Sequence, residues 1–301
     1  MPSEGDTRRF AQAFVIYEGG RLPVRYNRQV IAANSLHNLV WRSDLIPKGG
    51  SFETIDRANM LESSDRWFRP VHCGVGPDGW VYLADWYDTR LSHLSPVDNW
   101  HKESGRIYRI RASSENAADQ ETVPDLSRAT TRQLIRLFQH PGKWVRHRAV
   151  QELQWRDDPS VFPELVKRVE EDASLEAFWV LYAGGGIDSD RLKRWLQHAS
   201  PDIRFWAARY LGDETDRRVQ LSLVDAVAAT TRAEHSISVR TQYAATAKRV
   251  DPSLAQSIIV GLLRHEADDR DDHQPLLLWW AVESHADEER FIEDLLSHGT
   301  V

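Results

Sequence analysis

The sequence predicts an α+β, multidomain chain: a β-rich part up to residue 112, a linker over 113–130 and an all-α part over 131–301. Three observations predict it. Short apolar runs bounded by Gly, Pro, Asn and Asp fill the first part. The stretch "ASSENAADQETVPDLSRAT" nearly lacks large apolar residues. From residue 131 onward the apolar residues recur with a helical period.

In the first part, "AFVIY", "QVIAA", "NLVWR", "SFETI", "WVYLADWY" and "GRIYRI" are rich in Val, Ile, Tyr and Trp and read as strands. In "WVYLADW", Trp80, Tyr82, Ala84 and Trp86 take one face, and Val81, Leu83 and Asp85 take the other. Both faces are largely apolar, so the sheet is expected to be covered on both sides. A β-propeller blade packed between neighbouring blades meets that requirement. Two approximate repeats, 13–56 and 68–111, each hold about four strand-like segments, as a blade does. About two blades do not close a ring, which takes roughly 4–8. Either the chain is the end of a longer protein or its strands pack in another way.

In the second part, "TTRQLIRLFQH" places Leu134, Leu137 and Phe138 together, with Thr130 or Thr131 as N-cap. "SPDIRFWAARYLGD" opens with Ser200 as N-cap and Pro201 at the first helical position. Roughly ten to eleven helices with short connections follow from this pattern. "WVRHRAVQEL", "DIRFWAARYL" and "SVRTQYAATA" share an apolar residue, then Arg, then small Ala positions; Arg146, Arg204 and Arg240 mark the copies. The step from Arg204 to Arg240 is 36 residues, near the period of two-helix repeats, whereas that from Arg146 to Arg204 is 58. A HEAT-like α-solenoid is expected, with each Arg bonding carbonyls or acids of the next repeat.

Composition narrows the function. Hydrophobic residues make up 41% and charged residues 28%, ordinary for a soluble globular protein. A net charge of −7 argues against coating a nucleic acid, and the helical part from 127 carries 23 Lys and Arg against 28 Asp and Glu. Cys73 is the lone cysteine, so no intramolecular disulfide, zinc cluster or Cys-x-x-Cys-His haem attachment forms. "MPSEGDTRRF" lacks the apolar core of a secretory signal, and "LLLWWAV" is too short to span a bilayer. A soluble chain without a membrane span or export address is expected. "AGGGID" reads as a helix C-cap and hinge, not as a phosphate loop.

The stretches "WFRPVHCGVGPDGWVYLADWYDTRLSHLSPVDNWHKESGRIYRI" (67–110), "HPGKWVRHRAVQEL" (140–153), "PLLLWWAVE" (275–283) and "VIYEGGRLPVRYNRQVIAANSLHNLVWR" (15–42) together resemble a bacterial membrane-bound dehydrogenase family. Its members carry a glucose/sorbosone-dehydrogenase-like β-propeller followed by HEAT repeats, often with a c-type cytochrome module. The resemblance implies that this chain is the C-terminal portion of such a protein: the last blades, then the solenoid. It implies a parent that oxidises sugars or other alcohols, with quinone and Ca²⁺ in the complete propeller and no cofactor in this chain. Family members are often exported, which would place the protein in the periplasm if Met1 is not the true start.

The best polar constellation is Asp85, Tyr87, His93, Asp98 and His101, at a strand end and in the loop after it. Carboxylate and imidazole together abstract a proton from an alcohol or ligate a divalent metal. Against this stands a structural role, in which Asp85 accepts backbone N–H bonds to fix the loop. Arg69 of "FRP" either binds an anionic substrate or clamps a neighbouring blade. "HEADDRDDH" (265–273) lacks the spacing of an EF-hand, and Asp271 or Asp272 is expected to cap the next helix. Trp279 and Trp280 mark either a core contact or an interaction surface.

Two functions follow as expectations. The first is the C-terminal portion of a dehydrogenase-like propeller/HEAT protein, not catalytic alone, with a protein partner or the remaining blades as its partners. The second is a non-enzymatic HEAT-repeat scaffold with a small β cap, its concave surface suited to protein partners.

Overall fold

The computed structural model describes residues 13–89, 103–112, 125–288 and 290–298. They fall into two compact units, one within Met1–Ile46 and Phe52–Glu152, the other within Pro47–Ser51 and Leu153–Val301. Antiparallel sheets come first and helices follow, a mixed α+β architecture.

The first unit begins with β1 (Ala13–Ile16), β2 (Val30–Asn34), β3 (Leu39–Lys48), β4 (Ser51–Asp56) and β5 (Leu61–Glu62). They order as β1-β2-β3-β4, and β5 pairs with β3 through Val40↔Leu61. A second antiparallel sheet orders β6 (Pro70–Val75), β7 (Val81–Asp85) and β8 (Arg106–Ile110). Thus the proposed repeat 13–56 yields β1 to β4, and 68–111 yields β6 to β8 among the described residues.

Alternation sets the core. Register Val15↔Ile31 puts those two on the face of the first sheet that meets the second, where Ile31, Ala33 and Val40 pack with Cys73, Val81 and Leu83. Cys73 is buried there, and its thiol donates weakly to the Ile31 carbonyl at 3.4 Å. Burial pushes that thiol up from its ordinary pKa, so Cys73 is a packed small side chain, as a buried lone cysteine usually is. The opposite face is open at Phe14 and Ile16, and Phe52, Ile55 and Ile107 are also exposed.

The same unit takes in α1 (Thr131–Arg136) and α2 (Lys143–Arg156) as far as Glu152. Thr130 caps α1 with a full capping box: its hydroxyl accepts from Gln133 N–H, and Gln133 Oε1 accepts from Thr130 N–H at 2.7 Å.

The second unit holds α3 (Phe162–Asp172), α4 (Leu175–Ala183), α5 (Ser189–Trp195), α6 (Pro201–Leu211), α7 (Arg217–Ser222), α8 (Val224–Ala233), α9 (Ile237–Ala247), α10 (Pro252–Leu262), α11 (Gln274–Ser284) and α12 (Phe291–His298). Asp188, Ser174, Asp216 and Asp251 cap helices with their side chains. Ser200 stands at the N-cap of α6, but its hydroxyl makes no cap bond. Its backbone N–H donates instead to His198 Nδ1 at 3.0 Å. The helices pack in two rows: α4 on α6, α6 on α9 and α9 on α11 in one, α8 on α10 and α10 on α12 in the other.

The recurring arginines explain themselves in this frame. Arg146 donates to the His140 carbonyl at 2.9 Å, Arg204 to the His198 carbonyl at 2.7 Å and Arg240 to the Glu234 carbonyl at 2.9 Å. Each reaches back to the residue six before it, closing the turn that precedes its helix. Arg204 also forms a two-pronged bond to Glu234, and Arg240 one to Asp268. Each of these two guanidiniums therefore ties its own entry turn to an acid further along the chain, 30 residues on for Arg204 and 28 for Arg240, the geometry a planar fork suits.

Candidate functional site

Asp85 ends β7, and the chain must turn there. Its Oδ1 accepts from the Arg69 N–H at 2.7 Å and the Tyr87 N–H at 2.9 Å. Tyr87 adopts a left-handed backbone, φ 54, unusual for a bulky residue. The Asp85 bond, stacking of its ring on Trp67 at 5.8 Å and the Arg106 guanidinium 3.9 Å above the ring hold it in place. Among the described residues Asp85 Oδ2 is buried with no hydrogen-bond donor, and the Arg106 guanidinium stands 3.9 Å from it. Arg69 is buried too: its Nε donates to the Asp88 carbonyl at 2.8 Å and another guanidinium nitrogen to the Ser35 carbonyl. Burial pushes the Arg69 guanidinium down from its ordinary pKa, against the opposing pull of the Asp88 and Asp85 charges.

Of the expected constellation, Asp85 and Tyr87 come together with Arg69, whereas His93, Asp98 and His101 lie outside the described residues. A general base must reach the hydroxyl it deprotonates. Asp85 instead has a fully buried side chain with one oxygen already accepting two backbone N–H groups. Arg69 bonds backbone carbonyls, which suits a clamp between Ser35, Asp88 and its own strand. Trp279 and Trp280 are both exposed on α11. In the 265–273 segment, Asp268 pairs with Arg240, and Asp271 accepts from the His273 and Gln274 N–H groups at 2.9 Å each.

Ca²⁺ needs converging oxygen ligands. Among the described residues no group of three or more His, Cys, Asp or Glu is placed to hold a metal ion. No chemical step is routed through the quinone and Ca²⁺ that the resemblance implies for the complete propeller.

A second feature of the first unit had no clear signal in the sequence. A cleft of about 440 Å³ is walled by Gly19–Arg21, Val75–Gly79, Leu137, His140–Gly142, Trp144 and Val145. The "GPDG" turn between β6 and β7 forms one wall, and the entry to α2 another. Tight glycines bring the walls together. A Cβ on Gly19 would stand 2.2 Å from the Gly79 carbonyl, and one on Gly79 only 2.4 Å from the Gly19 carbonyl. The Tyr17 hydroxyl donates to the Gly79 carbonyl and accepts from the Arg21 and Leu22 N–H groups, so it pins the 19–22 turn. His140 Nδ1 accepts from the Gly142 N–H at 3.0 Å. Beside the cleft, burial pushes the Glu18 carboxyl up, but the bond to Lys143 at 2.8 Å and the charges of Lys143, Arg146 and Arg28 hold it below its ordinary pKa.

The comparisons with known proteins fall on the sheets. A family model described as a domain of unknown function (DUF7133) matches residues 6–114. No curated protein and no solved structure is detectably similar to the chain. Among the described residues, no helix is long and apolar enough to cross a membrane.

Proposed function

We propose that the chain is the C-terminal portion of a dehydrogenase-like propeller/HEAT protein, that it does not oxidise substrate alone, and that its helices serve to bind a partner. The observation that carries this reading is Asp85. The strand-end acid singled out in the sequence has a fully buried side chain, and one of its oxygens already accepts two backbone N–H bonds. The apolar residues exposed on β1, β4 and β8 favour further β structure over these sheets, as neighbouring blades would supply. The sugar- or alcohol-oxidising activity of the parent rests on the resemblance of 67–110 and 15–42. Dye-linked oxidation of sugars and other alcohols by the intact chain tests the reading, with and without quinone and Ca²⁺. No turnover is expected, and robust turnover would overturn it.

The alternative is a HEAT-repeat scaffold with the sheets as a cap. The Arg204–Glu234 and Arg240–Asp268 links favour it, because they repeat along the helices and serve stacking rather than catalysis. In that case intact chain captures a protein partner and shows no affinity for additional propeller blades supplied in trans.

A further inference from the structure

From Pro275 to Val282 helix α11 carries only apolar side chains. Gln274, Leu277, Leu278 and Ala281 turn inward toward α9 and α10. On the other side Leu276, Trp279 and Trp280 are 47%, 61% and 42% exposed. At positions i, i+3 and i+4 these three form one stripe, and Glu283 at i+7 continues it. A helix that is apolar all round is normally buried on every side, and exposed paired indoles are strong anchors for a partner.

Charge says which partner. From Arg264 to Asp294 the chain carries eleven Asp and Glu against three Arg and no Lys, so this segment alone is more negative than the whole chain's −7. Asp268 is neutralised by Arg240, but Glu266, Asp269, Asp272, Glu283, Asp287 and Glu288 are exposed. A second copy of the chain docking through α11 would set two such acidic rims against each other. An acidic rim around indole faces suits Lys and Arg instead, whose charges the carboxylates attract and whose heads stack on Trp.

We propose that the Leu276–Trp279–Trp280 stripe of α11 docks a cationic, amphipathic segment of a protein partner, with Glu283 among the acids that select it. The proposal names the partner chemistry for the binding role proposed above, and it stands on α11 alone, so the dye-linked assay and the test below fail independently.

The test is a titration of the intact chain into a fluorescently labelled helical peptide of Leu and Lys, read by anisotropy. The same peptide with Glu for Lys is the control. The Lys peptide should bind at least about tenfold more tightly than the Glu peptide, and salt should weaken it. Trp279→Gln and Trp280→Gln should each weaken it about tenfold, whereas Trp155→Gln, exposed on α2, should leave it unchanged. Glu283→Lys should weaken the Lys peptide and strengthen the Glu peptide, a gain that misfolding does not mimic. Equal binding of the two peptides, or Trp279 and Trp280 variants that bind like the parent, would overturn the proposal. So would a dimer in sedimentation that Trp279→Gln dissolves, since it would assign the face to a second copy.

Discussion

At Asp85 the difference between a catalytic and a structural acid comes down to two hydrogen bonds. Asp85→Ala leaves the Arg69 and Tyr87 N–H groups without an acceptor inside the protein, and each such loss costs about 1–3 kcal/mol. Asp85→Asn keeps an oxygen in place, so it should lose less; thermal unfolding of the two variants checks the order. At the cleft, Gly19→Ala forces a methyl against the Gly79 carbonyl. It should cost about 1–3 kcal/mol, read as a lowered urea midpoint, while Gly185→Ala, with open space around it but a φ of 69, pays backbone strain alone. Asp85 was legible in "WVYLADWY" as a strand-end acid. Backbone N–H bonds to it were legible as the structural alternative; that one comes from Arg69, just before β6 and 16 residues away, was not. The cleft was less legible still: "GPDG" and "HPGKW" each read as a turn, and only packing brings Gly19, Gly79 and Gly142 together.

Among the elements, the arginine signature was the strongest signal in the sequence, and the structure gives it a physical cause. Gly142, Ser200 and Ser236 each precede by four residues Arg146, Arg204 and Arg240. Ser174 stands in the same relation to Phe178, which is buried with its ring 5.3 Å from that of Trp195. Where the charge is kept, it is costly to break. Asp268→Ala strands Arg240 in a buried setting and should destabilise the helical unit by about 3–5 kcal/mol. Acid should act in the same place. Burial pushes the Glu234 carboxyl up, but Arg204, the Ser236 N–H and Arg240 outweigh it and hold its pKa below the ordinary 4.5. The unfolded chain therefore takes up this proton first. The stability due to Glu234 is intact above about pH 5 and falls away as pH drops through 4.5 toward the folded value. Unfolding midpoints measured from pH 7 to 3 should show this loss, and Glu234→Gln should flatten it. The Tyr182 hydroxyl donates to the Asp213 carboxylate; burial and that carboxylate push its pKa up to about 12, so the bond stays intact at neutral and mildly alkaline pH.

For the whole molecule, the order of sheets and then helices was legible because the hydrophobic period changes from two to nearly four near residue 112. How many strands belong to each sheet was not, since β5 is two residues long and joins β3 from beyond the proposed repeat. Four of the five expected catalytic candidates lie between β7 and β8 and the fifth, Asp85, ends β7; the two that are described, Asp85 and Tyr87, shape the turn that opens the segment. On the proposed reading the intact chain does not oxidise an alcohol by itself. That is tested most directly by dye-linked turnover of the intact chain and of Asp85→Asn, supplied with quinone, Ca²⁺ and a panel of sugars and simple alcohols. The account predicts rates equal to a protein-free blank for both proteins. Turnover by the parent chain that disappears in Asp85→Asn would contradict it.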